Sequence, residues 1–386
     1  MSSATSTQTR EPAREPSSDE PEAYGRANWL KVGIGLAGVW LLGWGLANLF
    51  LSFGYYPQWY GHKLVIALLA VIGGVAGAAA IFWFLNILVE GLPGWLCTRL
   101  LPLVYVLPAF GLICLMLVYP VLQTVNYSFA NADSTAYVGL SNYREIFTED
   151  EFQSSILNNL LWLLIVPAVT VAIGVVVAVL ADKLSARGEK VAKSMIFLPM
   201  AISFVGASAI WKLVYDYRNK GENQTGLLNA VWTGLGGDPQ VWLAVSDAKL
   251  NSILLMVILI WLQVGFAMIL LSSAIKGVPQ ETLEAARIDG ASELQIFWSV
   301  VVPQIKGTVI TVFITVLILV LKVFDIVYVL TDGRNQTNVI ANLFFTELIA
   351  REQAGRASAI VVILLLAVLP VLVYQVRHFR REEAAR

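Results

Sequence analysis

Charge-free apolar runs of about 20 residues or more alternate with shorter polar stretches along most of this chain. A helix of that length crosses the hydrocarbon of a bilayer, where a lipid-facing backbone must satisfy its own hydrogen bonds. The pattern predicts about eight transmembrane helices, near 30–53, 64–89, 100–123, 156–181, 192–215, 251–275, 307–330 and 357–377. The fourth begins inside a charge-free run from Phe152 to Ala181, and the sixth inside one from Leu250 to Ile275. Pro370 falls within the eighth, where neighbouring helices can absorb a kink. The expected fold class is an all-α polytopic membrane protein.

Composition agrees: of 386 residues, 57% are hydrophobic and 14% charged, with a mean hydropathy of +0.70. These values lie outside the soluble globular range. A net charge of −1 points to no nucleic-acid partner. Cys97 and Cys114 sit in or beside apolar stretches without metal-like spacing, so both read as packing residues, and no metal site is expected. Residues 1–28 are rich in Ser, Thr, Glu, Pro and Arg and cannot bury enough surface to order themselves. They lack the short apolar core of a signal peptide and read as a disordered cytoplasmic tail.

An even number of spans leaves both ends on one side, and the excess of Lys and Arg says which. Sixteen basic residues share one face: Arg10, Arg14, Arg26 and Lys31 at the start, Arg377, Arg380, Arg381 and Arg386 at the end, and Arg99, Lys183, Arg187, Lys190, Lys193, Lys276, Arg287 and Lys306 between. Nine lie on the other: Lys63, Arg144, Lys212, Arg218, Lys220, Lys249, Arg334, Arg351 and Arg356. Both termini are therefore expected to be cytoplasmic in the cell (plasma or inner) membrane. The loop 276–306 falls on the same side.

That loop carries the densest local signals. Pro279 suits the first position of a helix, and Glu281 and Glu284 favour its positive end. Gly290 is placed to end it in a left-handed turn. Ser292 with Gln295 makes a capping box for a second helix, on which Leu294, Phe297 and Trp298 form an apolar stripe. A rod of about 11 residues is about 16 Å long, and Ala285 and Ala286 would let a partner backbone approach it closely. Such a segment either docks a partner or merely connects two spans; pattern alone leaves both open.

A resemblance decides between them. Glu284-Ala285-Ala286, Asp289-Gly290-Ala291 and Val302-Pro303 resemble the EAA---G motif and following proline of permease subunits of binding-protein-dependent ABC importers. Val302 stands where the family usually has Leu. The resemblance implies that the segment is a coupling helix inserting into a cleft of an ATPase subunit, through Glu284, Ala285, Ala286, Asp289 and Gly290. Val138-Gly139-Leu140-Ser141-Asn142-Tyr143, Phe197-Leu198-Pro199 and the stretch from Val323 to Thr331 are similar to carbohydrate permeases of the maltose type, most of all to α-glucoside permeases. Roughly 100–386 is covered. The division expected is a tail at 1–28, two additional N-terminal helices at 29–99, and a six-helix permease core at 100–386 with its coupling loop at 276–306. Where many sugar permeases continue Thr-x-Gly-Gly-Pro, this chain has Thr331-Asp332-Gly333-Arg334-Asn335, which implies a different outer gate.

No Gly-Lys dipeptide exists to build a P-loop, so the chain is not expected to be an enzyme or to bind a cofactor. The resemblance implies two ATPase subunits binding ATP and Mg, a second, homologous permease and an extracellular sugar-binding protein, all meeting at the lipid bilayer. It places sugar contacts on Leu262, Gln263, Phe266, Val320 and Val323. The last two are polar in the maltose permease, implying a different sugar or contact mainly from the other permease. From the residues alone, Gln263 serves either a sugar, beside Trp261 and Phe266, or an interhelical hydrogen bond. Lys322 and Asp325, three apart, read as a structural ion pair on one helical face, with a direct role toward the substrate as the alternative. The function expected is translocation of a carbohydrate, an α-glucoside or other oligosaccharide; the alternative is an ion-coupled secondary transporter, for which Asp325 is the main intramembrane carboxylate. A membrane enzyme would need clustered His, Asp or Glu, which the sequence does not offer.

Overall fold

A computed structural model describes residues 27–384, so the expected disordered tail lies almost wholly outside the described residues. The chain is helical: α1 (Trp29–Tyr55), α2 (Lys63–Glu90), α3 (Gly94–Ile113), α4 (Tyr119–Tyr127), α5 (Ser141–Thr148), α6 (Asp150–Asp182), α7 (Ala186–Phe197), α8 (Phe204–Val214), α9 (Leu227–Gly234), α10 (Leu250–Lys276), α11 (Gln280–Ile288), α12 (Glu293–Ile296), α13 (Val302–Gln304), α14 (Lys306–Leu321), α15 (Asp325–Leu330), α16 (Ile340–Phe345) and α17 (Ala354–Ala384). Six helices are long and apolar enough to cross a membrane, and eight spans result if two bent pairs each count as one.

The described residues form two compact units, divided between Val121 and Leu122. In the first, α1 meets α2, joined by an ion pair of 3.3 Å between Lys31 and Glu90. Cys97 and Val104 of α3 pack with Val89 of α2, which is why this part of the third span groups with the first two helices.

In the second unit α10 is the central helix. Leu255, Leu259 and Leu262 on it pack with Trp162 and Val166 of α6, Ala207 of α8, and Val316 and Val320 of α14. α10 also passes very close to the end of α7. A Cβ on Gly265 would lie 2.4 Å from the carbonyl oxygen of Ile196, so no larger residue fits that crossing. The motif residues Asn142 and Tyr143 fasten the connection after α4: Asn142 Nδ2 donates to the carbonyls of Ser128 (2.9 Å) and Ala130 (2.7 Å), and Tyr143 OH to Ser128 Oγ (2.7 Å).

Two expected spans are not continuous helices. The fifth, expected at 192–215, bends by 104° between its two halves. Pro199 opens a tight 3₁₀ turn, and the side chain of Ser203 then caps α8 by accepting from the N–H of Gly206. The seventh, expected at 307–330, ends as a helix at Leu321 and starts again at Asp325, where a carboxylate favours a helix N-terminus. The segment leading into it, 293–304, meets α14 at 70°.

Candidate coupling and translocation sites

The loop between α10 and α14 folds much as its local signals demand. Pro279 is the residue just before α11 rather than its first helical position. Gly290 has φ 83°, in the left-handed region that favours glycine. Around it, the N–H groups of Asp289 and Ala291 donate to the carbonyls of Ala285 (3.0 Å) and Ala286 (3.1 Å), closing the end of α11. Ser292 and Gln295 form the capping box on α12. Arg287 Nε donates to Glu293 Oε1 at 2.8 Å across the bend, and that carboxylate holds the guanidinium above its ordinary pKa.

The bend is mounted firmly on the two flanking spans. Val278, Val301 and Ile305 are buried together, with Leu283 of α11 and Phe297 packed against them. The opposite face is free: Glu284, Ala285, Asp289 and Gly290 are exposed and Ala286 is half-buried. The expected stripe of Leu294, Phe297 and Trp298 is divided. Phe297, where a π-turn to Val301 begins, packs inward, while Leu294 and Trp298 are 70% and 63% exposed. Ile288, 85% exposed at the tip of α11, was not singled out by sequence reasoning. Its only signal is an apolar residue between Arg287 and Asp289. Exposed apolar side chains ringed by charges are suited to a partner's cleft.

Beside this bend, at the same end of α10, α6, α7 and α10 are tied by charge. Lys193 Nζ donates to Asp182 (3.0 Å), to Glu189 (2.6 Å) and to Ser272 Oγ. Ser272 in turn donates to Asp182 at 3.0 Å, and Lys276 pairs with Glu189 and Asp182. Lys193 is the shared donor and its side chain is only 19% exposed. Lys193→Met should leave two carboxylates sharing the more exposed Lys276, costing about 1–3 kcal/mol. Thermal unfolding of the purified protein in detergent measures this, and a Tm unchanged from wild type would reject the tie.

Of the candidate sugar contacts, the structure gathers Leu262, Val320 and Val323 into one hydrophobic cluster where α10 meets the end of α14. Gln263 is 6% exposed, and among the described residues its amide has no hydrogen-bond partner, so the expected interhelical bond is not made. Phe266 is half-buried one turn further along α10. Leu262 and Val320 are closed off from solvent in this conformation; Gln263 and Phe266 retain some access. The expected ion pair is corrected. Lys322 and Asp325 do not pair, because the helix ends between them: Lys322 caps α14 with φ −111° and is exposed, and Asp325 starts α15. A spacing of three brings side chains together only on an unbroken helix.

Residues 170–382 match the family described as binding-protein-dependent transport system inner membrane component. The chain is 44% identical over 335 residues to the alpha-glucoside transport system permease protein AglF of Rhizobium meliloti, covering 83% of this chain and 98% of that protein. It is 49% identical over 282 residues to the osmoprotective compounds uptake permease protein GgtC of Synechocystis, covering 73% of this chain and all of that one. A bacterial alginate ABC transporter, crystallised in complex with an alginate pentasaccharide-bound periplasmic protein, matches with a TM-score of 0.62 at 19% identity, over 74% of this chain and 96% of that one.

Proposed function

The chain belongs to the family of inner membrane components of binding-protein-dependent transport systems, and from that premise we propose that it is the permease subunit of an ATP-driven importer for an α-glucoside or related carbohydrate. A saccharide reaches it from an extracellular binding protein, and a second, homologous permease completes the path. ATP and Mg are bound by two separate ATPase subunits, and both termini of this chain are cytoplasmic. The observation that carries the reading is the capped bend at Gly290, rigidly mounted on α10 and α14 with Glu284, Ala285, Asp289 and Ile288 facing outward. Each ATPase cleft that closes on such a bend moves the ends of the two spans it joins. The ion-coupled alternative draws no support from any relative named above.

The mechanism needs helices that can change their path, and the two broken spans supply such joints. Val320, just before the break after α14, and Val323, within it, pack on α10 beside Gln263. A shift of the inner ends passes along α10 and α14 to this point, opening the cluster and exposing the Gln263 amide to the sugar. The test is uptake of labelled maltose, trehalose or sucrose into proteoliposomes holding the full importer and binding protein. Uptake should require ATP inside and the binding protein outside. Equal uptake without ATP would overturn the reading.

A further inference from the structure

At the end of the second unit opposite the Gly290 bend, a cavity of about 300 Å³ opens between residues 241–244 and 328–335. That volume is at the low end of small-molecule pockets. One wall is a segment of unusual backbone. Asp332, Gly333, Asn335 and Gln336 all have positive φ, between 50° and 74°. Three of them are not glycine, and such a conformation costs an ordinary L-residue roughly 1–2 kcal/mol, somewhat less for Asn and Asp.

This backbone is held from below. Asn158 of α6 donates to the carbonyl of Gln336 and Asn251 of α10 to that of Asn335, both at 2.7 Å. Lys249 Nζ reaches the same Gln336 carbonyl at 3.2 Å, and Asn335 Nδ2 reaches Leu243 O at 3.3 Å. Strain that the surroundings over-determine in this way points to a shape needed for function.

The two charged side chains on that wall are left free. Asp332 and Arg334 line the cavity and are exposed, and among the described residues neither side chain has a hydrogen bond or ion pair. Two arginines at this end do pair: Arg351 with Glu151 and Glu347, and Arg356 with Glu145, Glu149 and Glu347. Tyr328 adds an aromatic face to the cavity. Its ring stacks on Phe324 at 5.1 Å and meets Phe345 edge-on at 5.2 Å, which fixes its orientation.

An aromatic plate, a carboxylate, a guanidinium and an amide around one small cavity can recognise a neutral polyhydroxylated molecule. The carboxylate accepts from hydroxyls, the guanidinium and amide donate to them, and the ring covers an apolar C–H face. A phosphate site would lack the carboxylate. We propose that this cavity is a saccharide-binding subsite at the outer mouth, separate from Gln263, with Asp332 and Arg334 as its specificity-determining residues. The proposal rests on the carbohydrate reading above.

The test compares Asp332→Asn and Arg334→Gln with wild type in the full reconstituted importer. Asn tolerates the left-handed backbone at 332, and both side chains are exposed, so folding should be preserved. The probe is whichever of labelled maltose, trehalose or sucrose the wild type carries fastest, at saturating loaded binding protein. Sugar moved per ATP hydrolysed should fall about tenfold in each variant, as expected when a site built for hydroxyls loses a partner. Stimulation of ATP hydrolysis by the binding protein should hold. An unchanged ratio would overturn the subsite alone. Loss of stimulation in proportion to uptake would overturn it too, because the loop would then be contacting the binding protein. A wild type that carried none of these sugars would remove the carbohydrate reading and this proposal with it.

Discussion

Gly290→Val should abolish ATP-driven uptake while the protein still inserts in the membrane and still assembles its spans. At φ 83° a β-branched residue pays the full penalty of the left-handed region. A Cβ there would meet nothing within 4 Å, so crowding plays no part and the penalty is purely one of backbone. The chain can escape it only by changing the angle between α11 and α12. That change would break the paired N–H groups of Asp289 and Ala291 and the Arg287–Glu293 brace, and re-aim Ile288 and Leu294. Gly290→Asn should keep most activity, because Asn is the residue other than glycine that best accepts this turn. Uptake and ATP hydrolysis measured together in proteoliposomes check both variants. Wild-type uptake by Gly290→Val would mean that the bend does not carry the coupling.

Asn158→Leu should produce a large loss of stability in the second unit. Asn158 is fully buried, and its Nδ2 spends both hydrogens, on the carbonyls of Gln336 and Asn338, each at 2.7 Å. Leucine has a similar volume, so the loss comes from the Asn338 carbonyl left without this donor, about 1–3 kcal/mol, and from the Gln336 carbonyl left with Lys249 Nζ alone at 3.2 Å. It also releases the strained wall of the outer cavity. Unfolding of the detergent-purified protein by heat gives the measurement, and a Tm equal to wild type would refute it. Asn158→Asp should be worse at neutral pH, since an ionised carboxylate would face two carbonyl oxygens.

Much of this architecture was legible in the chain because its causes are local. Apolar length alone placed the spans, and the extremes of α1, α2, α6 and α10 lie within a few residues of the charge-free runs, or extend them by polar turns that still accept helix. The left-handed turn at Gly290 and the capping box of Ser292 and Gln295 needed only the residues within one helical turn. The exposed Ile288 was missed because an apolar side chain in an amphipathic helix carries no mark of which way it faces.

Other features have partners far away in the chain. Lys322 and Asp325 have ideal spacing for a pair, and only the end of α14 at Leu321 separates them. No Pro or Gly announces that break; it follows from how α14, α15 and α10 pack. The bend of 104° in the fifth span had a visible cause in Pro199 and Ser203, but its size depends on the neighbours that α7 and α8 meet. Lys193 joins Ser272 across 79 residues, and Asn158 joins Asn338 across 180.

By itself the sequence determined the all-helical membrane-spanning character of the chain, the capped bend between the sixth and seventh expected spans, and the motif residues on it. Hydrophobic length, helix capping and the backbone freedom of glycine all act within a few residues, so the order of amino acids suffices to state them. Tertiary structure alone decided which buried amides meet which carbonyls, where spans break, and that Asp332, Arg334 and Tyr328 share one cavity. A buried hydrogen bond joins whatever groups the packing brings within about 3 Å, and no pattern along the chain specifies that meeting.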